Sequence, residues 1–213
     1  TKKVTLPAGR KLTLSQGDLS TFTVDFSGIA PNQNEELYKV GDLYRENGVV
    51  KGFVFAIKED NNGNKWCYVV SKDEEYLQWS TEVAWCNCIS TVGAYNTNDP
   101  FDRYGRDINN YPAFKWCKEY GDGWFLPSST ELRWLWSAIT DGENDFEAES
   151  VGLFNALLLA NGGVPFEETF YMSSNETSES LIEVVTFSAD KGVCLDPQKS
   201  SKFDVRAAYR FKI

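Results

Sequence analysis

Histidine is absent from the 213 residues, which removes the usual general base at neutral pH and the commonest nitrogen ligand of zinc and copper. Serine and cysteine hydrolases that rely on His are excluded with it. Positive charge is also in short supply. Lys and Arg number 21 against 31 Asp and Glu, so the net charge is −10 and the pI is near 4.6. Polyanions meet a repulsive mean field, and nucleic acid is not an expected partner. The longest strongly apolar stretch, residues 153–160, is well short of the roughly 18 residues that a membrane-spanning helix needs. Cysteine is sparse and odd in number: Cys67, Cys86, Cys88, Cys117 and Cys194 are too few for a disulfide-built scaffold and leave at least one thiol unpaired within the chain. Cys86-Asn87-Cys88 could be half of a metal knuckle, but a second close pair and a His to complete four ligands are missing, and Cys67, Cys117 and Cys194 read as small hydrophobes in regular elements. G-x-S-x-G, G-x-x-x-x-G-K and G-x-G-x-x-G are all missing as well, which weakens an enzyme reading without ending it.

What is present is enough for a core. Hydrophobic residues make up 42% and aromatics 15%, and the length fits one domain with a small extension. Residues 1–29 read as short strands at 4–6, 11–14 and 22–26, separated by Pro7-Ala8-Gly9 and Gln16-Gly17-Asp18 turns, and the polar segment 30–36 reads as a linker. This predicts a short β extension over 1–36 and a main domain over 37–213. Residues 52–57 and 66–70 are β-rich runs around Asn62-Gly63, a hairpin signal, and their nearly continuous apolar character predicts strands covered on both faces. Residues 74–110 show little period and are expected to be loop-dominated. Helices are predicted over 112–120, with Pro at its start and Gly121 as its stop, over the run that follows Ser128, and over 150–160. Ser128-Ser129-Thr130-Glu131 fits a capping box, with Ser128 as N-cap and Glu131 at the third helical position. Strands return at 170–173, 181–188, 192–195 and 205–211. Strands first, helices in the middle and strands last argue for an α+β fold with a mainly antiparallel sheet, two to three helices and long loops.

Chemistry is harder to place. Trp79, Trp85, Tyr95, Tyr104 and Tyr111 fall in or beside the irregular region, where aromatic rings can stack on sugars or fill a protein interface. They are the candidate ligand contacts, with core lining as the competing role. Asn98, Asp99, Asp102 and Asp107 offer oxygen ligands on one segment, so calcium is the metal to test, although their spacing does not match an EF-hand. No cofactor is otherwise expected. Glu131, Glu167, Glu168 and Glu176 are conceivable as the carboxylate pair of a glycosidase; capping, surface charge and salt bridges are the better account of them.

Gly121-Asp122-Gly123-Trp124-Phe125-Leu126-Pro127-Ser128-Ser129-Thr130-Glu131-Leu132 resembles the Lcl C-terminal domain family of bacterial surface proteins. Tyr38-Lys39-Val40-Gly41-Asp42-Leu43-Tyr44 is similar to that family's opening, Tyr171-Met172-Ser173-Ser174-Asn175-Glu176 to its Tyr-Trp-Ser-Ser-Thr-Glu segment, and residues 205–211 to its closing strand. Met172 stands where Trp is usual. The Leu-Pro-Ser helix start and the Arg-bearing last strand also resemble formylglycine-generating enzymes, so the likeness implies a C-type-lectin-like domain. It carries over neither a matching catalytic cysteine arrangement nor the Glu-Pro-Asn, Gln-Pro-Asp or Trp-Asn-Asp calcium motifs of lectins. Trp124, Leu126, Pro127, Ser128, Glu131, Ser173, Ser174, Arg206 and Arg210 are expected to be structural, with Glu131 beside Arg206 or Arg210.

The expected function is a non-catalytic bacterial surface or secreted binding module for glycan or protein ligands, an adhesin component. The first residue is Thr1, read here as the start of a mature product whose export signal, and any lipoprotein-type outer-membrane anchor, has been removed. The alternatives are a carbohydrate-active enzyme using a carboxylate pair and a structural subunit of a surface assembly, with residues 1–29 pairing along a neighbour's sheet edge; homo-oligomers fit the second.

Overall fold

A computed structural model describes residues 38–188 and 194–213. The expected extension over 1–36, its boundary with the main domain, and the start of the strand predicted at 192 lie outside the described residues.

The first sheet is built from hairpins. Strand β1 (Leu43–Glu46) turns into β2 (Val49–Glu59) through Asn47 and Gly48, whose φ values of 50° and 82° are those of a two-residue primed turn. The Asn62-Gly63 hairpin into β3 (Lys65–Ser71) forms as expected, but through a longer loop. Of those two residues only Gly63 has positive φ. The loop is organised instead by Asp60, whose carboxylate accepts from the Asn62 and Asn64 amides, each at 2.9 Å, from the Asn64 side chain and from Trp66 Nε1 at 3.0 Å. These bonds, led by the Asn64 side chain, hold the Asp60 carboxyl well below the usual carboxylate range. The chain's last strand, Ala208–Lys212, pairs with β3, so the sheet is antiparallel throughout.

Residues 74–110 are more regular than their composition predicts. They contain a strand, β4 (Glu75–Gln78), and a helix, α1 (Gly93–Asp102); only 79–92 between them holds no regular element. Helix α2 (Pro112–Tyr120) has the predicted bounds. Its stop at Gly121 is not a left-handed cap, because φ there is 173°, which is extended. Glycine is needed for space: a Cβ would meet the Trp124 ring at 2.6 Å. Helix α3 (Ser129–Ile139) follows the predicted capping box, and α4 (Glu149–Ala160) matches the helix predicted over 150–160; with α1 the described residues hold four helices where two to three were expected. A second sheet combines β4 with β5 (Phe170–Glu176), β6 (Ile182–Thr186), β7 (Cys194–Leu195) and β8 (Lys202–Val205), in the order β4-β8-β5-β6-β7. The chain's final strand is therefore β9. Apart from one parallel pairing, Tyr171 with Asp204 between β5 and β8, the second sheet is antiparallel. The fold is α+β.

Both faces of the first sheet are covered, as the apolar runs imply. Phe53, Tyr68 and Val70 pack with Leu132, Leu135 and Trp136 of α3, while Val54, Cys67 and Val69 pack on the other face with Trp79, Phe114, Cys117 and Trp124. A bulge between Val54 and Ala56 turns both Phe55 and Ala56 to the α3 side. Fully burying a side chain such as Phe53 or Phe114 is worth roughly 1.5–3 kcal/mol.

Candidate functional site

The motif segments converge on the irregular stretch 79–92 and on the start of α1. Ser128 Oγ accepts from Glu131 N at 3.1 Å and Glu131 Oε2 accepts from Ser128 N at 2.8 Å, closing the capping box. The same Oε2 also accepts from Gly93 N at 3.1 Å, so one carboxylate sits at the N-termini of two helices, α3 and α1, where the helix dipoles favour negative charge. Gly93 leaves no alternative: a Cβ would lie 2.3 Å from Leu126 O and 2.8 Å from Glu131 Oε2. Glu131 is fully buried and its Oε1 has no hydrogen-bond partner among the described residues. Burial pushes its carboxyl up to about 7, against the bonds from Ser128 and Gly93 and the charge of Arg210.

Strand β5 supplies the second anchor. Glu176 Oε1 accepts from the Cys86 and Cys88 amides at 2.8 Å each, and its Oε2 pairs with Lys199 Nζ at 2.5 Å. Lys199 also donates to Ala84 O at 2.6 Å and lies 4.5 Å over the Trp79 ring. Between the two glutamates, Asn96 bridges Ser90 and Ser174, Asn175 accepts from Ser129 N and donates to Ser90 O, and Ser174 N donates to Pro127 O. Ser173 Oγ donates to Glu183 O, joining β5 to β6. These polar groups are spent on backbone that has no ladder of its own, the condition under which buried backbone needs side-chain partners. Cys86 and Cys88 are free buried thiols within this packing, and burial pushes both up.

Of the two final-strand arginines expected beside Glu131, Arg210 is within electrostatic reach and neither makes an ion pair with it among the described residues. Arg206 is buried against Phe166, with Nε 2.8 Å from Glu74 Oε2 and its other nitrogens donating to the carbonyls of Ser71, Val164 and Pro165. Arg210 acts on Glu131 only through its charge; its guanidinium lies over Trp66 and Tyr95. Trp124 and Leu126 are buried, with Trp124 Nε1 donating to Glu46 Oε1 at 2.8 Å.

Of the candidate ligand contacts, Trp79 and Tyr111 are fully buried in an aromatic cluster with Phe114, so they face the core and not a ligand. Trp85, Tyr95 and Tyr104 are exposed by 41%, 55% and 48%. Tyr95 lies against Arg210, while the Trp85 carbonyl accepts from Arg106. The metal candidates are dispersed, because the segment expected to be a loop is largely helix α1. Asn98 accepts from Lys118, Asp99 pairs with Arg103, and Asp107 caps a 3-10 turn, Ile108–Asn110; Asp102 is exposed. Among the described residues no cluster of three His, Cys, Asp or Glu side chains could hold a metal. Of the four carboxyls a hydrolase would draw on, Glu131 and Glu176 are the anchors described above, and Glu167 and Glu168 are exposed. A groove of about 220 Å³ is lined by Asn98, Lys118, Asp122, Trp124 and Phe125, and a shallower hollow of about 470 Å³ lies beside the start of α4.

Sequence reasoning missed Trp66, Tyr68, Trp134 and Lys58, which join Arg210 and Tyr95 on the α3 side of the first sheet. The alternation of Trp66 and Tyr68 was a usable signal.

No family model and no curated protein matches the chain. Among solved structures, a fimbrial protein from Bacteroides ovatus superposes with a TM-score of 0.62 at 16% identity, over 80% of this chain and 48% of that one. The chain thus spans about half the length of that protein, and at this identity what the two share is a fold.

Proposed function

We propose that this chain is a non-catalytic binding module of a bacterial surface protein, at the outer membrane or secreted, that presents irregular segments to glycan or protein ligands. In this reading the domain is C-type-lectin-like and related to the Lcl C-terminal domain family. One observation carries it: the segments that bear the resemblance spend their buried polar groups on holding 79–92 and α1 in place. A frame that fixes irregular backbone while leaving its outward side chains free is suited to display. The structural neighbour is a fimbrial protein, which fits the same setting, and no helix among the described residues is long and apolar enough to cross a membrane. The test is a screen of the full chain against glycans and host surface proteins. Saturable capture of a defined ligand without turnover of it is expected; a product released from a captured glycan would overturn the reading.

A structural subunit of a surface assembly is the second reading, and α4 favours it. This helix is apolar nearly all round, yet Leu153 and Leu159 are 65% and 61% exposed on its outer side, the kind of surface that a neighbouring subunit covers. A concentration-dependent mass in solution that Leu153→Lys abolishes would support it.

A further inference from the structure

The register of the first sheet sets cations around one ring. Trp66 of β3 lies opposite Lys58 of β2 on one side and Lys212 of β9 on the other, and two residues along the same strand Tyr68 lies opposite Arg210. Alternation puts all of these on one face. The Arg210 guanidinium sits 4.6 Å over the Trp66 ring and 5.3 Å from that of Tyr95, where the Tyr68 and Tyr95 hydroxyls favour its charged form. Lys58 Nζ lies 5.0 Å over Trp134, whose ring packs edge-on against Tyr68 at 5.4 Å. Four aromatic side chains and three cations therefore form one continuous patch.

In a chain with 31 acids to 21 bases, Lys58, Arg210 and Lys212 make no ion pair among the described residues. Asp60 is close, but it is spent on Trp66 Nε1 and on the amides of its own loop. Glu131 is within electrostatic reach of Arg210 and Tyr68, with its buried Oε1 still unpartnered. A guanidinium set beside two rings offers a fork of N–H donors that matches the two coplanar oxygens of a carboxylate better than a tetrahedral sulfate. Beside it the exposed Tyr95 ring and the half-buried Trp66 and Trp134 indoles suit the C–H face of a pyranose, with Tyr68 buried beneath them.

We propose that this patch on β2, β3 and β9 binds a sugar that carries a carboxylate, a sialic or a uronic acid. The proposal rests on the reading of the chain as a surface-binding module and names its ligand class and surface; Trp85 and Tyr104 take no part.

The experiment is calorimetric titration of the full chain with the methyl α-glycoside of N-acetylneuraminic acid, methyl β-glucuronide and neutral methyl β-glucoside. At least one acid should bind, with its methyl ester and the neutral sugar weaker by about tenfold or more. The exposed double variant Lys58→Glu/Lys212→Glu should lose about tenfold with its unfolding midpoint unchanged, and Arg210→Lys, which keeps the charge but not the fork, should weaken the same acid. The proposal is overturned if neither acid binds, if ester and acid bind alike, if the double variant binds like the parent, or if glucose 6-sulfate outcompetes both acids. Should the double variant keep every ligand that the parent captures in the wider screen, this patch is wrong and the binding-module reading stands. Should the parent capture nothing there and bind neither acid, the patch and the binding-module reading fall together.

Discussion

Glu176 and Glu131 do the same job in two different ways. Each is a buried carboxylate that collects backbone N–H groups from the region before α2, but Glu176 has a lysine on its second oxygen and Glu131 has nothing on its own. Around Glu176 charge is matched by charge, with the ammonium further held by Ala84 O and the face of Trp79. Around Glu131 the compensation comes from two helix N-termini and from the charge of Arg210, and burial raises the carboxyl to about 7. A full ion pair and a pair of helix dipoles are thus alternative ways to hold a buried acid, and they should fail differently.

The largest effect is expected where a partner is removed from the complete pair. Lys199→Ala leaves Glu176 charged and buried, which should cost about 3–5 kcal/mol in urea unfolding. A loss below about 1 kcal/mol would mean that the lysine is dispensable and that the two glutamates are alike. Glu131→Ala should cost less, about 2 kcal/mol, by orphaning the Ser128 and Gly93 amides and removing the cap; Glu131→Gln, which keeps one acceptor oxygen, should cost about half of that.

Titration sharpens the contrast. Because the folded Glu131 carboxyl is raised from 4.5 to about 7, the native state binds the extra proton between those values. Its contribution is full below about 4.5 and is lost as pH rises through about 7, by an amount of order 3 kcal/mol. Subtracting the pH profile of Glu131→Gln from that of the parent should isolate this downward slope; a difference curve flat between pH 4.5 and 7 would contradict it. The smallest effect is expected from chelation. Since the candidate calcium ligands are engaged elsewhere or dispersed, EDTA should leave the melting temperature unchanged, and a shift of several degrees would mean that a cation shares the work of these anchors.

The legible parts of the sequence were those in which a few adjacent residues decide the outcome. Ser128 to Glu131 specified a capping box, Pro112 and Gly121 bracketed a helix, and unbroken apolar runs marked a sheet covered on both faces. Helix α1 was illegible because Asn96, Asn98, Asp99 and Pro100 are poor helix formers; it stands on Glu131 at its first amide and on Asn96 clasping Ser90 and Ser174, contacts that span up to 78 positions. The same distance hid the partners of Arg206, since Glu74 and the 164–165 carbonyls are brought to it only by the folded chain. Exposure could not be read from the long irregular region either: Trp79 and Trp85 are six positions apart, yet one is sealed and the other is open to solvent.

The central claim is that Glu131, Glu176 and the buried polar groups between them hold the frame and that recognition takes place on the outer surface. The most direct test is to compare Glu131→Gln with the parent chain in the ligand screen, at a temperature where circular dichroism shows both folded. The same ligands captured with the same affinities are the predicted result. A folded variant that no longer captures what the parent captures would contradict the claim.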